Sequence, residues 1–337
     1  MAANSFIQSA FKKKTKNPIP PAQYDAQNTT QCCKVNECSK LATKQSSLAF
    51  YGHLFDNNQS KPLTVPQRLV INVVRDDLCN QDKRAQAIPR LPMVIPKLFK
   101  SLRDPKSSAK DYVEIINKDP VMSAAVLKLA NSVYFNPIGA HIGNIERAVI
   151  KLGIDGLRSV LSAAVMQPII QKESPYYSKT GQRLWAHSLN TAVACEVIGH
   201  ARRIERFKVY LLGLVHDIGK ITLFSELCKQ YKLNGDEEVG KNAFIPPMAK
   251  LSSQLSYLIA KDWHLPEEIC IALKEQVNIM PNQMVSPFGH LLYQANIACE
   301  AFAFTPRSKI NALNVICDDF KLPENLFAKL DEVSTQV

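Results

Sequence analysis

The chain has 337 residues, 46% of them hydrophobic, which is enough for one large or two modest domains with a buried core. Its formal net charge of +11 favours anionic partners, but the lysines are dispersed and no helix-turn-helix, zinc-finger or RNA-binding pattern accompanies them, so specific nucleic-acid binding is not expected. No run reaches the roughly 18 apolar residues that a membrane span needs, and the N-terminus lacks the order of a signal peptide, so we expect a cytoplasmic protein.

The cysteines also indicate a reducing compartment, because there are nine of them, an odd number, and most are scattered through helical patterns. Cys32, Cys33 and Cys38 lie close together near the N-terminus. A zinc site there would need a fourth ligand, and none lies nearby in the sequence. No metal is predicted at this cluster, and its role stays open.

The N-terminal part divides into two segments by composition. Residues 1–60 are rich in Asn, Gln, Ser, Lys and Thr, with only a weak apolar patch at residues 48–51, which predicts a flexible, basic and poorly ordered extension. Residues 61–87 predict a helix that begins near Pro66 and a polar linker that follows it at residues 80–84.

The chain from residue 88 onward is predicted to be a series of helices, because apolar residues recur at helical spacing between capping signals. One helix is capped by Asp119, begins at Pro120 and ends before Asn131-Ser132. The further predicted helices are one capped by Asn144 and stopped by Gly153, one capped by Asp155, one that begins near Glu205 and carries His216, and those at about 182–202, 248–261, 266–276, 286–302 and 323–334.

The absence of strand-like alternation completes the prediction of fold class. We predict an all-α protein, a multi-helix bundle with one dominant domain at residues 88–285. Residues 286–337 are predicted to form C-terminal helices that pack on this domain.

The candidate functional site centres on the adjacent pair His216-Asp217, which lies within an apolar segment predicted to be helical. Charged groups rarely occur in such runs unless they are paired or bind a metal. On a helix the two side chains would point about 100° apart, so a shared ion would need ligands from a second helix. His187, on the preceding predicted helix, is the natural donor, and imidazole with carboxylate suits Mn, Fe, Zn or Mg.

This arrangement resembles the HD superfamily of metal-dependent phosphohydrolases. The resemblance implies that His187 is the first histidine ligand and that His216-Asp217 is the adjoining pair. It places a late aspartate at position 296, where this chain has Asn296, a neutral and weaker ligand. Within that superfamily the chain is similar to the bacterial HDOD (HD-related output domain) family over about residues 88–285, through Asp119-Pro120, Leu127–Ser132, Ile145–Gly153, Trp185–Ser188, Gly213–Lys220 and Trp263–Pro266.

The HDOD resemblance implies an all-helical HD-like bundle and a role in bacterial signalling. Two further positions depart from the family pattern. Ser252 stands where members often carry a histidine, and Gln276 stands where a histidine pair often occurs. A second metal therefore lacks obvious ligands.

Three interpretations of His187, His216 and Asp217 stay open. They could form a buried hydrogen-bonded cluster with Lys220 as a charge partner, a metal site without turnover, or a working metal site. We favour a signal-transduction or regulatory protein that acts through protein–protein contacts and has a degenerate HD site, with no cofactor assigned. The alternative is a metal-dependent phosphohydrolase acting on a nucleotide or phosphodiester.

Three other residues were weighed as site candidates. Trp185 is better explained as a core residue than as a ligand platform. Asn131 and Ser132 are explained by a helix end, with a role in interactions as the alternative. The sequence specifies neither the partner nor the oligomeric state.

Overall fold

The computed structural model describes residues 32–35, 40–55, 61–88, 109–117, 120–132, 134–137, 139–170, 178–235 and 239–334. Within them the chain is mostly helical, with only two short strands, which confirms the all-α fold class. No helix among these residues is both long and apolar enough to cross a bilayer. In chain order the elements are β1 (Cys33–Lys34), α1 (Lys40–Leu54), α2 (Val65–Cys79), α3 (Gln81–Ala87), α4 (Ala109–Asn117), α5 (Pro120–Ala130), α6 (Ile145–Ile170), α7 (Ser178–Ala201), α8 (Arg206–Val215), α9 (Ile218–Leu233), α10 (Ile245–Asp262), α11 (Glu267–Glu275), β2 (Met284–Val285), α12 (Pro287–Phe304), α13 (Asn314–Phe320) and α14 (Leu326–Ser334).

The capping signals located several helix boundaries correctly. Helix α5 begins at Pro120 and ends just before Asn131, whereas Asp119 lies outside the described residues. The side chain of Asn144 accepts the backbone N–H of Arg147 at 2.8 Å and so caps α6. Gly153 has φ 70° and interrupts α6, because only glycine adopts this conformation without steric cost.

The predicted polar linker at residues 80–84 is wrong. Residues 81–84 belong to α3, and Asn80 caps the helix by accepting the backbone N–H groups of Asp82 and Lys83. Arg84 is buried and pairs with Asp262 of α10 at 2.8 Å. A polar sequence therefore forms a helix here because a good N-cap coincides with a tertiary ion pair.

Part of the N-terminal extension is packed, which its composition did not predict. Phe50, Leu54 and Phe55 are at most 2% exposed, and α1 lies against α7 and α12. Strand β1 pairs antiparallel with β2. Cys32 is exposed and Cys33 is half-buried, whereas Cys38 lies outside the described residues. The aromatic residues of α1 provide the buried apolar surface that holds this helix against the bundle, which the polar residues of the extension could not provide.

Two glycines allow the helices around the centre of the fold to approach closely. A Cβ at Gly213 of α8 would lie 2.5 Å from the carbonyl oxygen of Thr191 on α7. A Cβ at Gly219 of α9 would lie 2.3 Å from the carbonyl oxygen of Ser252 on α10. Helix α12 packs on α7 and α8, so the junction between α8 and α9 is enclosed by neighbouring helices.

Candidate functional site

The pair His216-Asp217 lies in a break between two helices, which corrects the prediction of one continuous helix. Helix α8 ends at Val215 and α9 begins at Ile218. Asp217 has φ −102° and ψ 14°, between the helical and extended regions. Because the pair is not on a regular helix, the two side chains need not point 100° apart. Both reach the same region, at the break between α8 and α9.

Four polar side chains converge at this break, and we call His187, His216, Asp217 and Asn296 the HD cluster. The Nε2 atoms of the two histidines are 3.3 Å apart. The Oδ1 atom of Asn296 lies 3.1 Å from each of them. Asp217 Oδ2 lies 3.5 Å from His187 Nε2, and Asp217 Oδ1 lies 3.5 Å from His216 Nε2. The structure thus brings together all four candidate ligands that the resemblance implied.

These separations suit a small divalent ion. In a tetrahedral site with bonds of about 2.1 Å, neighbouring ligand atoms lie roughly 3.4 Å apart. The two Nε2 atoms and Asn296 Oδ1 are 3.1 to 3.3 Å apart, and Asp217 comes within 3.5 Å of His187 through Oδ2 and of His216 through Oδ1. Within the described residues, His187, His216 and Asp217 form a group whose ligand atoms all lie within 4.8 Å of one another. The donor set therefore fits a metal in geometry and in chemistry.

Both imidazoles of the HD cluster are held neutral, which is the form that binds metals. Burial lowers the pKa of His187 well below its ordinary value and also lowers that of His216. His216 Nδ1 donates to the carbonyl oxygen of Gly213 at 2.7 Å, so its Nε2 lone pair faces the cluster. His187 Nδ1 has no hydrogen-bond partner in the described protein, and its ring packs against Phe50 at 4.4 Å between centroids.

A lysine ammonium group already binds the carboxylate of the HD cluster. Lys220 Nζ lies 2.6 Å from Asp217 Oδ2, and both side chains are at most 10% exposed. Burial opposes the charge on each group, but the carboxylate of Asp217 raises the pKa of Lys220, while His216 and Lys220 lower that of Asp217. Both groups are therefore ionised, and the site contains its own cation.

The lysine is also covered by aromatic rings of α1. Its Nζ lies 5.1 Å from the ring centroid of Phe50 and 5.6 Å from that of Tyr51, within the range of cation–π attraction. Burial raises the pKa of Tyr51 to about 12. The N-terminal helix thus forms one wall of the site.

The HD cluster opens into a cavity of about 820 Å³ between α1, α10 and α12. Ser252 and Gln276 line it, at the two positions that depart from the HDOD pattern. Ser252 donates to the carbonyl oxygen of Met248, and Gln276 donates to that of Gly289 at 3.0 Å. Both side chains are occupied by backbone contacts and offer no second set of imidazole ligands.

The family of the chain is assigned from its sequence. The sequence profile of the HDOD domain matches residues 88–279, more than half of the chain. The chain belongs to the HDOD domain family. This family segment carries His187, His216 and Asp217, whereas Asn296 lies beyond its end.

Solved structures share the HDOD fold with this chain. A protein from Shewanella amazonensis, provisionally named a metal-dependent phosphohydrolase, is 20% identical and has a TM-score of 0.58, with 81% of this chain and 99% of that chain covered. An HDOD domain protein of unknown function from Geobacter sulfurreducens is 21% identical and has a TM-score of 0.52, with 80% and 94% covered. At this identity the likeness establishes the fold.

Sequence reasoning missed three residues around the HDOD site. Phe50 and Tyr51 come from the extension, whose polar composition gave no sign of them beyond the weak apolar patch. Glu300 follows Asn296 by four residues, so the two share a face of α12. That spacing was visible in the sequence, but a glutamate within a helix has no distinctive signal unless its neighbour is already known.

The remaining candidates lie in structural roles. Trp185 is 1% exposed and belongs to the hydrophobic core, as expected. Asn131 and Ser132 follow the end of α5 and are not among the residues of the HD cluster. Asn131 Nδ2 donates to the carbonyl oxygens of Leu127 and Ile142, at 2.8 and 2.9 Å.

We expect the Asn131→Ala variant to lose about 2 to 3 kcal/mol of unfolding free energy. Its Oδ1 also accepts the N–H of Ile142 at 2.8 Å, so the substitution removes three hydrogen bonds of a part-buried loop. Ser132→Ala removes one bond, to the carbonyl oxygen of Leu129, and should cost about 1 kcal/mol. Urea denaturation followed by circular dichroism measures both. Equal losses in the two variants would contradict the structural role of Asn131.

Proposed function

We propose that this HDOD protein is a bacterial signal-transduction or regulatory protein that acts through contacts with other signalling proteins and does not turn over a substrate. The observation that carries the proposal is the buried ion pair of Lys220 with Asp217, at 2.6 Å. The only carboxylate of the HD cluster is already neutralised by an ammonium group. A divalent ion would have to bind beside that positive charge.

The charge balance of the HD cluster supports weak metal binding. The HD cluster taken together with Lys220 has zero net charge, because the two imidazoles and the amide of Asn296 are neutral and Asp217 is paired with the lysine. Repulsion between like charges is strong in a buried site, where the effective dielectric constant is far below that of water. With an aspartate at position 296 the same cluster would carry one negative charge. The amide therefore reduces the attraction for a cation at the point where the superfamily has a carboxylate.

The orientation of the first histidine supports the same conclusion. Metal-binding histidines almost always donate their second N–H to an acceptor, which fixes the ring and raises its basicity. His216 has such an acceptor in the carbonyl of Gly213, but Nδ1 of His187 has none in the described protein. A ligand without this support binds a metal less firmly.

Contacts with other proteins are supported by an exposed apolar stripe on α2. Val65, Leu69 and Val73 are 71%, 60% and 51% exposed and recur every four residues, so they share one face of the helix. A cytoplasmic location is supported by the described cysteines, among which there is no disulfide.

Metal content and phosphodiester hydrolysis test the proposal together. We expect the purified wild type, with Mn²⁺ added, to hydrolyse bis(p-nitrophenyl) phosphate no faster than the His216→Ala variant. Elemental analysis should find less than one metal ion per chain. Stoichiometric metal together with turnover, both lost in His216→Ala, would overturn the proposal.

The alternative function is that of a metal-dependent phosphohydrolase acting on a nucleotide or phosphodiester. The separations of 3.1 to 3.5 Å within the HD cluster favour it, as does a cavity of about 820 Å³, which lies in the usual size range of ligand sites. His187, His216, Asp217 and Asn296 would hold the ion. A bound divalent ion would supply Lewis acidity and an activated water. The same assay decides between the two functions.

A further inference from the structure

We propose that Glu300, held in place by Ser47 of the N-terminal helix, is a positioning residue that keeps the oxygen of Asn296 directed into the HD cluster. The inference concerns the same site as the proposed function. It does not depend on whether that site turns over a substrate, because it specifies only how the HD cluster is held in place. Glu300 lies outside the residues that the family profile matches, as does Ser47.

The first step is the direction of the Asn296 amide. An amide has one end that accepts and one end that donates, and only the oxygen can face a cation. Asn296 Nδ2 donates to Glu300 Oε1 at 3.3 Å, while Oδ1 lies 3.1 Å from Nε2 of both His187 and His216. A carboxylate accepts hydrogen bonds and cannot donate them, so Glu300 selects the orientation in which the oxygen faces the histidines.

The second step is the support of Glu300 itself. Its other carboxylate oxygen, Oε2, accepts a hydrogen bond from Ser47 Oγ at 2.8 Å. The residue is 5% exposed, so it has little freedom to turn away. Ser47, Glu300 and Asn296 therefore form a continuous chain of hydrogen bonds from α1 to the HD cluster.

The third step is charge. Burial raises the pKa of Glu300, whereas the charge of Lys220 and the hydrogen bonds from Ser47 and Asn296 oppose that rise. When Glu300 is ionised and the histidines are neutral, the buried groups Asp217, Glu300 and Lys220 together carry one negative charge. Glu300 thus restores, one helical turn away, part of the attraction for a cation that the amide of Asn296 lacks. The ligand class that benefits is a divalent metal ion.

Co²⁺ is a suitable probe, because its visible absorption reports the ligands that bind it as well as its affinity. We expect Glu300→Gln to weaken Co²⁺ binding about 10- to 100-fold, the usual effect of removing a partner that orients a ligand. The glutamine can donate as well as accept, so it no longer fixes the amide. Ser47→Ala should weaken binding in the same direction by a smaller factor.

The same substitution, Glu300→Gln, made in the Asn296→Asp variant distinguishes a positioning role of Glu300 from general support of the fold. In Asn296→Asp both side-chain atoms are oxygens and need no orientation, and a carboxylate at position 300 would repel the one at 296. Adding Glu300→Gln to Asn296→Asp should therefore weaken Co²⁺ binding less than it does in the wild type, because only the charge of Glu300 is lost and no orienting hydrogen bond. A purely structural role would weaken binding equally in both backgrounds.

The matched control is Glu196→Gln. Glu196 is also 5% exposed and also accepts from a hydroxyl group, that of Tyr134 at 2.6 Å, but its described partners, Tyr134 and Arg206, lie outside the HD cluster. We expect its Co²⁺ affinity to stay within about two-fold of the wild type, since no hydrogen bond to a ligand is lost.

Two results would overturn the inference. One is equal weakening by Glu300→Gln in the wild-type and Asn296→Asp backgrounds. The other is a wild type whose absorption shows no Co²⁺ bound at millimolar concentration. Phosphodiester turnover by the wild type would overturn the proposed function but would leave this comparison of affinities intact.

Discussion

We expect the Lys220→Met variant to lose about 3 to 5 kcal/mol of unfolding free energy at neutral pH, the usual cost of removing one partner of a buried ion pair. Asp217 would then keep its charge among two neutral imidazoles and an amide, with no cation to balance it. Methionine retains the length and apolar stem of the lysine, so packing against Phe50 and Tyr51 is preserved. Urea denaturation followed by circular dichroism measures the loss.

The matched control for this substitution lies on the same helix. Lys229 pairs with Glu226 at the same spacing of three residues, at 3.4 Å, but its side chain is 61% exposed. Lys229→Met should cost no more than about 0.5 kcal/mol, because exposed pairs contribute little. Adding Asp217→Asn to Lys220→Met should restore much of the lost stability. A loss for Lys220→Met no larger than that for Lys229→Met would show that the ion pair is not the dominant interaction of the HD cluster.

The second large effect is expected for Gly219→Ala, which should lower the unfolding free energy by about 3 kcal/mol, near the upper end of overpacking costs. The added Cβ would lie 2.3 Å from the carbonyl oxygen of Ser252 and 2.4 Å from the backbone nitrogen of Ser256. Both contacts are with backbone atoms of α10, so relief requires movement of a whole helix. Chemical denaturation measures the change.

Gly181→Ala is the control for the substitution itself. A Cβ at Gly181 of α7 would meet no atom within 4 Å. Alanine is favoured over glycine within a helix, so this variant should gain up to about 1 kcal/mol. The two variants make the same chemical change with opposite expected signs. Equal effects would mean that the close approach of α9 and α10 does not limit stability.

Much of the fold could be predicted from the sequence, because helix boundaries depend on local signals. Pro120, Asn144 and Gly153 each act through their own backbone or side chain, and their roles were predicted correctly. The short helix α3 was missed because it depends on Arg84 reaching Asp262, 178 positions along the chain. The packing of α1 was missed for the same reason, since its aromatic residues find partners only in the tertiary structure.

The HD cluster was predictable as a set of residues but not as an arrangement. The resemblance to the HD superfamily named His187, His216, Asp217 and Asn296, and the structure brings them together. The break between α8 and α9 was not foreseen, because the flanking residues are as apolar as those of a continuous helix. The role of Glu300 was not foreseen either, since a second-layer contact depends on the rotamer of Asn296.

The wall that α1 and α12 contribute to the cavity means that this HDOD segment is not an interchangeable module. Residues 88–279 carry three members of the HD cluster, whereas Asn296 and the covering ring of Phe50 lie on opposite sides of that segment in sequence. Gene fusion or shuffling at the family boundaries would transplant an opened site that lacks one member of the HD cluster and one wall. A transfer that keeps the site whole has to include the chain from α1 to α12.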